Sequence, residues 1–349
     1  MHFTHDWLAQ RVRFASGGAA EAVAEEVRRL AASRVMAIAS DPARAEPVLA
    51  GVPVVVVHTD VAMHVPLEVA EQARAVAAEH DVDALVCVGG GSTTGLAKAV
   101  ALTTGSPIVA VPTTYAGSEA TDVWGLTEDG RKTTGIDPRV LPKAIVYDAT
   151  LMLGLPVPTS VASGLNALAH CVDAMWGPRA DPIDRSLALE GVRALREGLP
   201  RVVEDPMDVS PREQTLYGAY LAAVAFASAG SGLHHKICHV LGGMFDLPHA
   251  ETHAVVLPYV LALNAPSVPD LERRLAEAFA ADSALAGLLD LKDELGAPRA
   301  LRDLGMRADD VPRAVGPILD AAPSNNPTPV TADTIESLLR DAWAGEEPT

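Results

Sequence analysis

Short, almost uninterrupted apolar runs punctuate the first 150 residues: Val35-Met36-Ala37-Ile38-Ala39, Val54-Val55-Val56-Val57, Ala84-Leu85-Val86-Cys87-Val88, Ile108-Val109-Ala110-Val111 and Ala144-Ile145-Val146-Tyr147. Helical patterns lie between several of them, over residues 20–32 and 67–79. A strand that is apolar on both faces has to be covered on both faces, so this alternation specifies a parallel sheet between layers of helices. Sheets of that kind bind nucleotides at their carboxyl edge. After Leu155-Pro156-Val157-Pro158 the β-branched runs largely stop. Ala- and Leu-rich text with helical spacing replaces them, broken by turns at Gly177-Pro178, Asp205-Pro206 and Leu247-Pro248. The expected organisation is an α/β nucleotide-binding domain over residues 1–155 and an all-α, helical catalytic domain over residues 156–349.

The charge balance narrows the partners. Lys and Arg total 27 against 45 Asp and Glu, a net charge of -18. Phosphate backbones and anionic membrane surfaces are poor partners for such a chain, so neither nucleic acid nor a membrane is expected. Cys87, Cys171 and Cys238 stand far apart, which gives neither a disulfide framework nor a thiolate metal site and suits the cytoplasm. Residues 1–13 lack the continuous apolar stretch of an export signal. The uncharged stretch 216–233 is rich in Ala, Gly and Ser and runs into His234 and His235, and it is expected to be a buried helix.

A glycine-rich turn follows the third apolar run. Gly89, Gly90 and Gly91 let a diphosphate approach the backbone, Ser92, Thr93 and Thr94 add hydroxyls, and a helix expected to begin near Leu96 offers free amides. The turn is neither a GxGxxG nor a Walker loop. A second hydroxyl-rich turn, with Thr113, Thr114 and Ser118, follows the next run and opens on the same sheet edge. Asp41, just past the first run, suits either the adenosine ribose or a helix cap before Pro42.

Of 11 histidines, His170, His234, His235, His239 and His249 concentrate in the helical half. Asn166 and His170 are four residues apart, as are His235 and His239, so each pair shares a helix face. Two such pairs plus His249 indicate a polar site rather than packing.

In that order, residues 89–92, 112–114, 132–142, 166–170, 235–239 and 248–249 resemble the iron-containing alcohol dehydrogenase and dehydroquinate synthase-like superfamily across nearly the whole chain. The resemblance implies a nucleotide domain, a helical domain, and a metal and substrate site in the cleft between them. In metal-dependent members the metal is held by an Asp and three His, which match Asn166, His170, His235 and His249. Asn166 lacks the negative charge that helps hold a divalent cation. Residues 89–101, 115–122, 164–173 and 230–257 are most similar to the maleylacetate reductase branch, whose members are thought to work without a metal.

That branch implies NADH, or NADPH, as cofactor, a small dicarboxylate as substrate, no bound metal and a homodimer. By resemblance His239 is the principal acid, while His170, His235 and His249, with Asn166 and Lys236, receive substrate carboxylates and developing charge. Lys132 matches a lysine that contacts the nicotinamide ribose in relatives; otherwise it is an exposed loop cation. The competing expectation is a metal-dependent alcohol dehydrogenase that tolerates Asn166.

Overall fold

A computed structural model describes residues 2–5, 7–128 and 131–348, the side chains of residues 131 and 132 excepted. The chain divides into two compact units, Leu8–Leu155 and a second formed by Met1–Trp7 with Pro156–Thr349.

The first unit runs β1 (Arg11–Phe14), α1 (Ala19–Arg29), β2 (Val35–Ile38), α2 (Pro42–Ala45), β3 (Val54–His58), α3 (Leu67–Glu79), β4 (Ala84–Gly89), α4 (Gly91–Thr104), β5 (Ile108–Pro112), β6 (Val123–Glu128), β7 (Arg131–Ile136) and β8 (Ala144–Tyr147). Six strands form a sheet in the order β1-β8-β5-β4-β2-β3, and every neighbouring pair is parallel. Alternate side chains serve opposite faces. Met36, Ile38, Leu85, Cys87 and Ile108 pack with α3 and α4, while Val35, Val86, Val109 and Val146 pack with α1 and α2.

All the apolar runs are strands of this sheet. Strand β1 was not anticipated, because an edge strand needs no continuous apolar run. Its arginines turn outward to acids of α1, Arg11 Nε to Glu26 at 2.9 Å and Arg13 to Glu25 at 2.6 Å. Strands β6 and β7 make a separate antiparallel hairpin.

Topology marks the ligand edge. Strands β2 and β4 are paired neighbours, yet the chain leaves β2 for β3 on one side and β4 for β5 on the other. The crevice beyond the carboxyl ends of two such strands is where sheets of this class bind ligands. Gly89 closes β4 at that edge, and Asp41 follows β2 there.

The second unit comprises α5 (Val157–Trp176), α6 (Pro182–Glu204), α7 (Val209–Ala229), α8 (Leu233–Phe245), α9 (His249–Asn264), α10 (Pro269–Phe279), α11 (Ala284–Glu294), α12 (Val311–Ala321) and α13 (Ala332–Ala344). Helix α5 takes Pro158 into its first turn, where the missing N–H has no partner to lose, and is buried from Ser160 to Trp176.

Residues 216–233 are not one buried helix as expected. Gly230 adopts φ 84, a conformation that ends α7, and α8 leaves at a bend of 97°. Among the described residues no single helix is long and apolar enough to cross a membrane; α7 and α8 pass that test only together, by length and composition. The first seven residues cluster with the helical unit rather than with the α/β unit, where the expected boundary put them. His5 Nδ1 lies 2.8 Å from Asp181 Oδ2 and 3.6 Å from Asp184 Oδ1, and those two acids form the capping box that opens α6.

Candidate active site

The glycine-rich turn of the α/β unit is a close-packed cradle. A Cβ on Gly89 would lie 2.3 Å from Thr93 Oγ1, one on Gly90 3.0 Å from the Thr114 methyl, and one on Gly91 3.4 Å from Ala116. The Gly89 carbonyl accepts the Thr113 N–H at 2.9 Å, so both hydroxyl-rich turns lie side by side. Helix α4 starts at Gly91, not near Leu96, because Ser and Thr fit a first turn. Its N-cap, Gly90, brings no side chain to the first amides, which stay available to an anion. These features fit a bound diphosphate.

Not every predicted cofactor residue offers itself. Thr93 is buried, its side chain packed against Gly89. Ser92, Thr113, Thr114 and Ser118 are half-buried. Asp41 caps α2, accepting the Arg44 N–H at 3.3 Å and pairing with Arg44 Nε at 3.3 Å. The Lys132 side chain lies outside the described residues.

Lys98, unremarked in the sequence, fixes the second turn. From α4 its buried Nζ donates to the carbonyls of Ser118, Thr121 and Val123 and to the Thr121 hydroxyl, at 2.6 to 2.9 Å. Burial pushes Lys98 down to about 7, opposed by Glu119 and Asp122.

In the helical unit, six imidazoles and Phe226 form one cluster of rings. His170 stacks on His235 with centroids 4.8 Å apart, and Phe226 lies 4.2 Å from His235. His253 lies 4.6 Å from His235 and 4.4 Å from His249, His234 lies 4.8 Å from His253, and His239 is 6.0 Å from both His235 and His249. Helices α5, α7, α8 and α9 each contribute at least one ring.

Burial sets the charge of this cluster. Desolvation pushes His170 down to about 4 and His234 to about 3, and it holds His235 and His253 well below the ordinary value, with neighbouring imidazoles adding to the effect for the last three. These four are neutral at pH 7. His170 and His235, expected to meet substrate carboxylates and stabilise charge, are among these four. His239 and His249 are half-buried.

Asp173 anchors the cluster. Its buried Oδ2 lies 2.7 Å from His235 Nδ1 and accepts the backbone N–H groups of Gly232 and His235 at 3.1 and 3.2 Å. Burial raises this carboxyl to about 7, against those backbone bonds and the charge of half-buried Lys236. Asn166 lies on the same face of α5 as His170 and Asp173, and its Oδ1 is buried with no hydrogen-bond partner among the described residues.

The four positions that would match metal ligands are an uncharged amide and three imidazoles. Among the described residues, the His, Cys, Asp and Glu groups whose ligand atoms all lie within 4.8 Å of one another are His234, His235 and His253, and His5, Asp181 and Asp184. His170, His235 and His249 do not form such a group. Within the first group His234 Nε2 and His253 Nδ1 already hydrogen-bond at 2.8 Å.

Family models match both units: iron-containing alcohol dehydrogenase over residues 9–149, and the C-terminal part of the Fe-containing alcohol dehydrogenase family over residues 160–343. The chain belongs to the iron-containing alcohol dehydrogenase family. Like other members of that family it is an oxidoreductase. The maleylacetate reductase of Pseudomonas sp. strain P51 is 44% identical over 352 residues, covering 100% of this chain and 99% of that one. The structure of an iron-containing alcohol dehydrogenase from Corynebacterium glutamicum superimposes with a TM-score of 0.97 at 56% identity, covering 100% of this chain and 98% of that one. Maleylacetate reductase from Agrobacterium tumefaciens does so with a TM-score of 0.93 at 42% identity, covering 100% of both chains.

The sequence reading of this family member missed Asp173, His253 and Lys98. Two of the three had a visible signal. Asp173 continues the Asn166 and His170 spacing along one helix face, and His253 stands four residues after His249.

Proposed function

We propose that the protein is a maleylacetate reductase, reducing the carbon-carbon double bond of 2-maleylacetate to give 3-oxoadipate at the expense of NADH or NADPH. The full-length likeness to maleylacetate reductases carries this reading, and the uncharged Asn166 agrees with it. When bound, the cofactor would supply a hydride to the alkene carbon remote from the substrate's ketone. The double-bond electrons then move onto the ketone oxygen as an enolate, and a proton joins the carbon beside the ketone.

The chain's own residues supply binding and the proton. The free amides at the start of α4, with Ser92, Thr113, Thr114 and Ser118, hold the dinucleotide. His239, half-buried, is the proton donor, with half-buried His249 beside it. His170 stays neutral until a substrate carboxylate enters, and a nearby anion then favours its protonated form, while His235, stacked against it, stays neutral. Asn166 meets that carboxylate without repelling it. The substrate is a conjugated enone with a carboxylate at each end and is already electron-poor, so hydrogen-bond donors suffice where an alcohol dehydrogenase polarises a carbonyl with a metal.

Asp41 disfavours a 2'-phosphate while its neighbour Arg44 favours one, so NADH is the proposed cofactor and NADPH a second. Free, buried Cys87, Cys171 and Cys238 suit the reducing cytoplasm. A homodimer is proposed from the resemblance. The test is NADH consumption on adding freshly generated maleylacetate, with simple aldehydes as controls. Turnover of aldehydes alone would favour the alcohol dehydrogenase reading.

A further inference from the structure

We propose that Asp173 is a positioning residue that locks His235 in the tautomer with its proton on Nδ1, presenting Nε2 to the ring cluster as a hydrogen-bond acceptor. Asp173 Oδ2 lies 2.7 Å from His235 Nδ1 and accepts the Gly232 N–H at 3.1 Å and the His235 N–H at 3.2 Å. An oxygen that already accepts two backbone N–H bonds is a poor place for a proton, so the shared proton stays on Nδ1 and the carboxylate accepts it. The other ring nitrogen, His235 Nε2, is buried with no partner among the described residues. In this tautomer it carries a lone pair.

The contact is built rather than incidental. Asp173 and His235 are 0% and 2% exposed, on different helices 62 residues apart in sequence. Gly232 makes the approach feasible, because a Cβ there would lie 2.5 Å from Asp173 Oδ1. The ring cannot turn over without breaking its one strong bond, and His170, stacked at 15° between planes, restricts it further. Orientation of a working imidazole by a buried carboxylate on its far nitrogen fixes both tautomer and ring plane.

This changes what His235 can do. A neutral imidazole protonated on Nδ1 offers a substrate carboxylate no donor at Nε2. What it offers is an acceptor, suited to a hydroxyl, a water or another imidazole N–H in a proton relay. That kinetic consequence rests on the reductase reading; the tautomer does not.

The competing role for Asp173 is structural, since the same oxygen caps the amides that open α8. The substitution Asp173→Asn separates the two. A carboxamide with its carbonyl in the place of Oδ2 keeps all three hydrogen bonds and loses only the charge of the acceptor. The experiment is ¹⁵N–¹H imidazole NMR of the full-length protein, wild type and D173N, with His235→Gln identifying the resonance, alongside steady-state kinetics. The expected wild-type spectrum shows Nδ1–H with a strongly deshielded proton and an unprotonated Nε2; in D173N that proton moves upfield. In Asp173→Ala, which removes the acceptor, turnover is expected to fall by about 10- to 100-fold in kcat with NADH binding unchanged, the range usual for loss of an outer partner of a working histidine. An Nε2–H tautomer in the wild type overturns the proposal, as does a D173N spectrum in which the His235 Nδ1–H proton does not move or an Asp173→Ala enzyme with wild-type kcat. If the wild type shows the Nδ1–H tautomer but does not turn over maleylacetate, the reductase reading fails and the positioning role stands.

Discussion

His170 on α5 and His235 on α8 stack face to face, ring centroids 4.8 Å apart and planes within 15°. Two imidazolium ions do not tolerate that contact in a buried site, and both rings are held neutral by desolvation. The stack therefore links the packing of the helical unit to pH.

The stability of the protein is expected to fall in mild acid. The folded values of His170 and His234, about 4 and about 3, lie below the ordinary 6.5, so between these limits the unfolded chain binds more protons than the folded one. Stability is thus complete above pH 6.5 and declines as pH drops toward 4, by on the order of 3 kcal/mol for a group shifted as far as His170. Urea midpoints at pH 8, 6 and 5 measure this. His170→Gln should flatten the decline, and an unchanged slope would disprove neutral burial of the ring.

His239→Ala should lower kcat by about 10²- to 10⁴-fold, the usual worth of a general acid, and leave NADH affinity near wild type. Fluorescence titration with NADH beside turnover measurements separates the two. A collapse of NADH affinity instead would remove His239 from the role of proton donor.

Gly90→Ala puts a methyl 3.0 Å from the Thr114 side chain, in the cradle in front of the α4 amides. The NADH dissociation constant is expected to rise at least about tenfold, equivalent to 1.4 kcal/mol, with the thermal midpoint little altered. Isothermal titration calorimetry reads the first and calorimetric unfolding the second; tight NADH binding by the variant would move the diphosphate elsewhere.

Much of this was legible in the sequence because it depends on local pattern. The continuous apolar runs named the inner strands, and the Gly89 to Gly91 turn announced itself by glycines between a strand and a helix. Strand β1 was silent because an edge strand alternates Arg with apolar residues, which also reads as irregular chain. The split at Gly230 was hidden because the chain runs uncharged across it from Leu216 to Leu233. Charge within the histidine cluster could not be read at all: it depends on desolvation by neighbours from four helices. Asp173 went unnoticed for a related reason, since its partner stands 62 residues away.

Asn166→Asp returns the carboxylate that metal-dependent relatives have at this position. The variant is expected to retain more Zn²⁺ or Fe²⁺ than the wild type through purification, by elemental analysis, and to reduce maleylacetate more slowly because the new charge meets the substrate's own. Equal metal content in both proteins would show that residue 166 does not govern metal binding.

The most direct test of the account is the rate at which the exhaustively chelated wild-type protein oxidises NADH when maleylacetate is added. The account predicts a rate equal to that of the untreated protein and no gain on adding Fe²⁺ or Zn²⁺. Absence of maleylacetate-dependent oxidation, or a rate lost on chelation and restored by either metal, would contradict it.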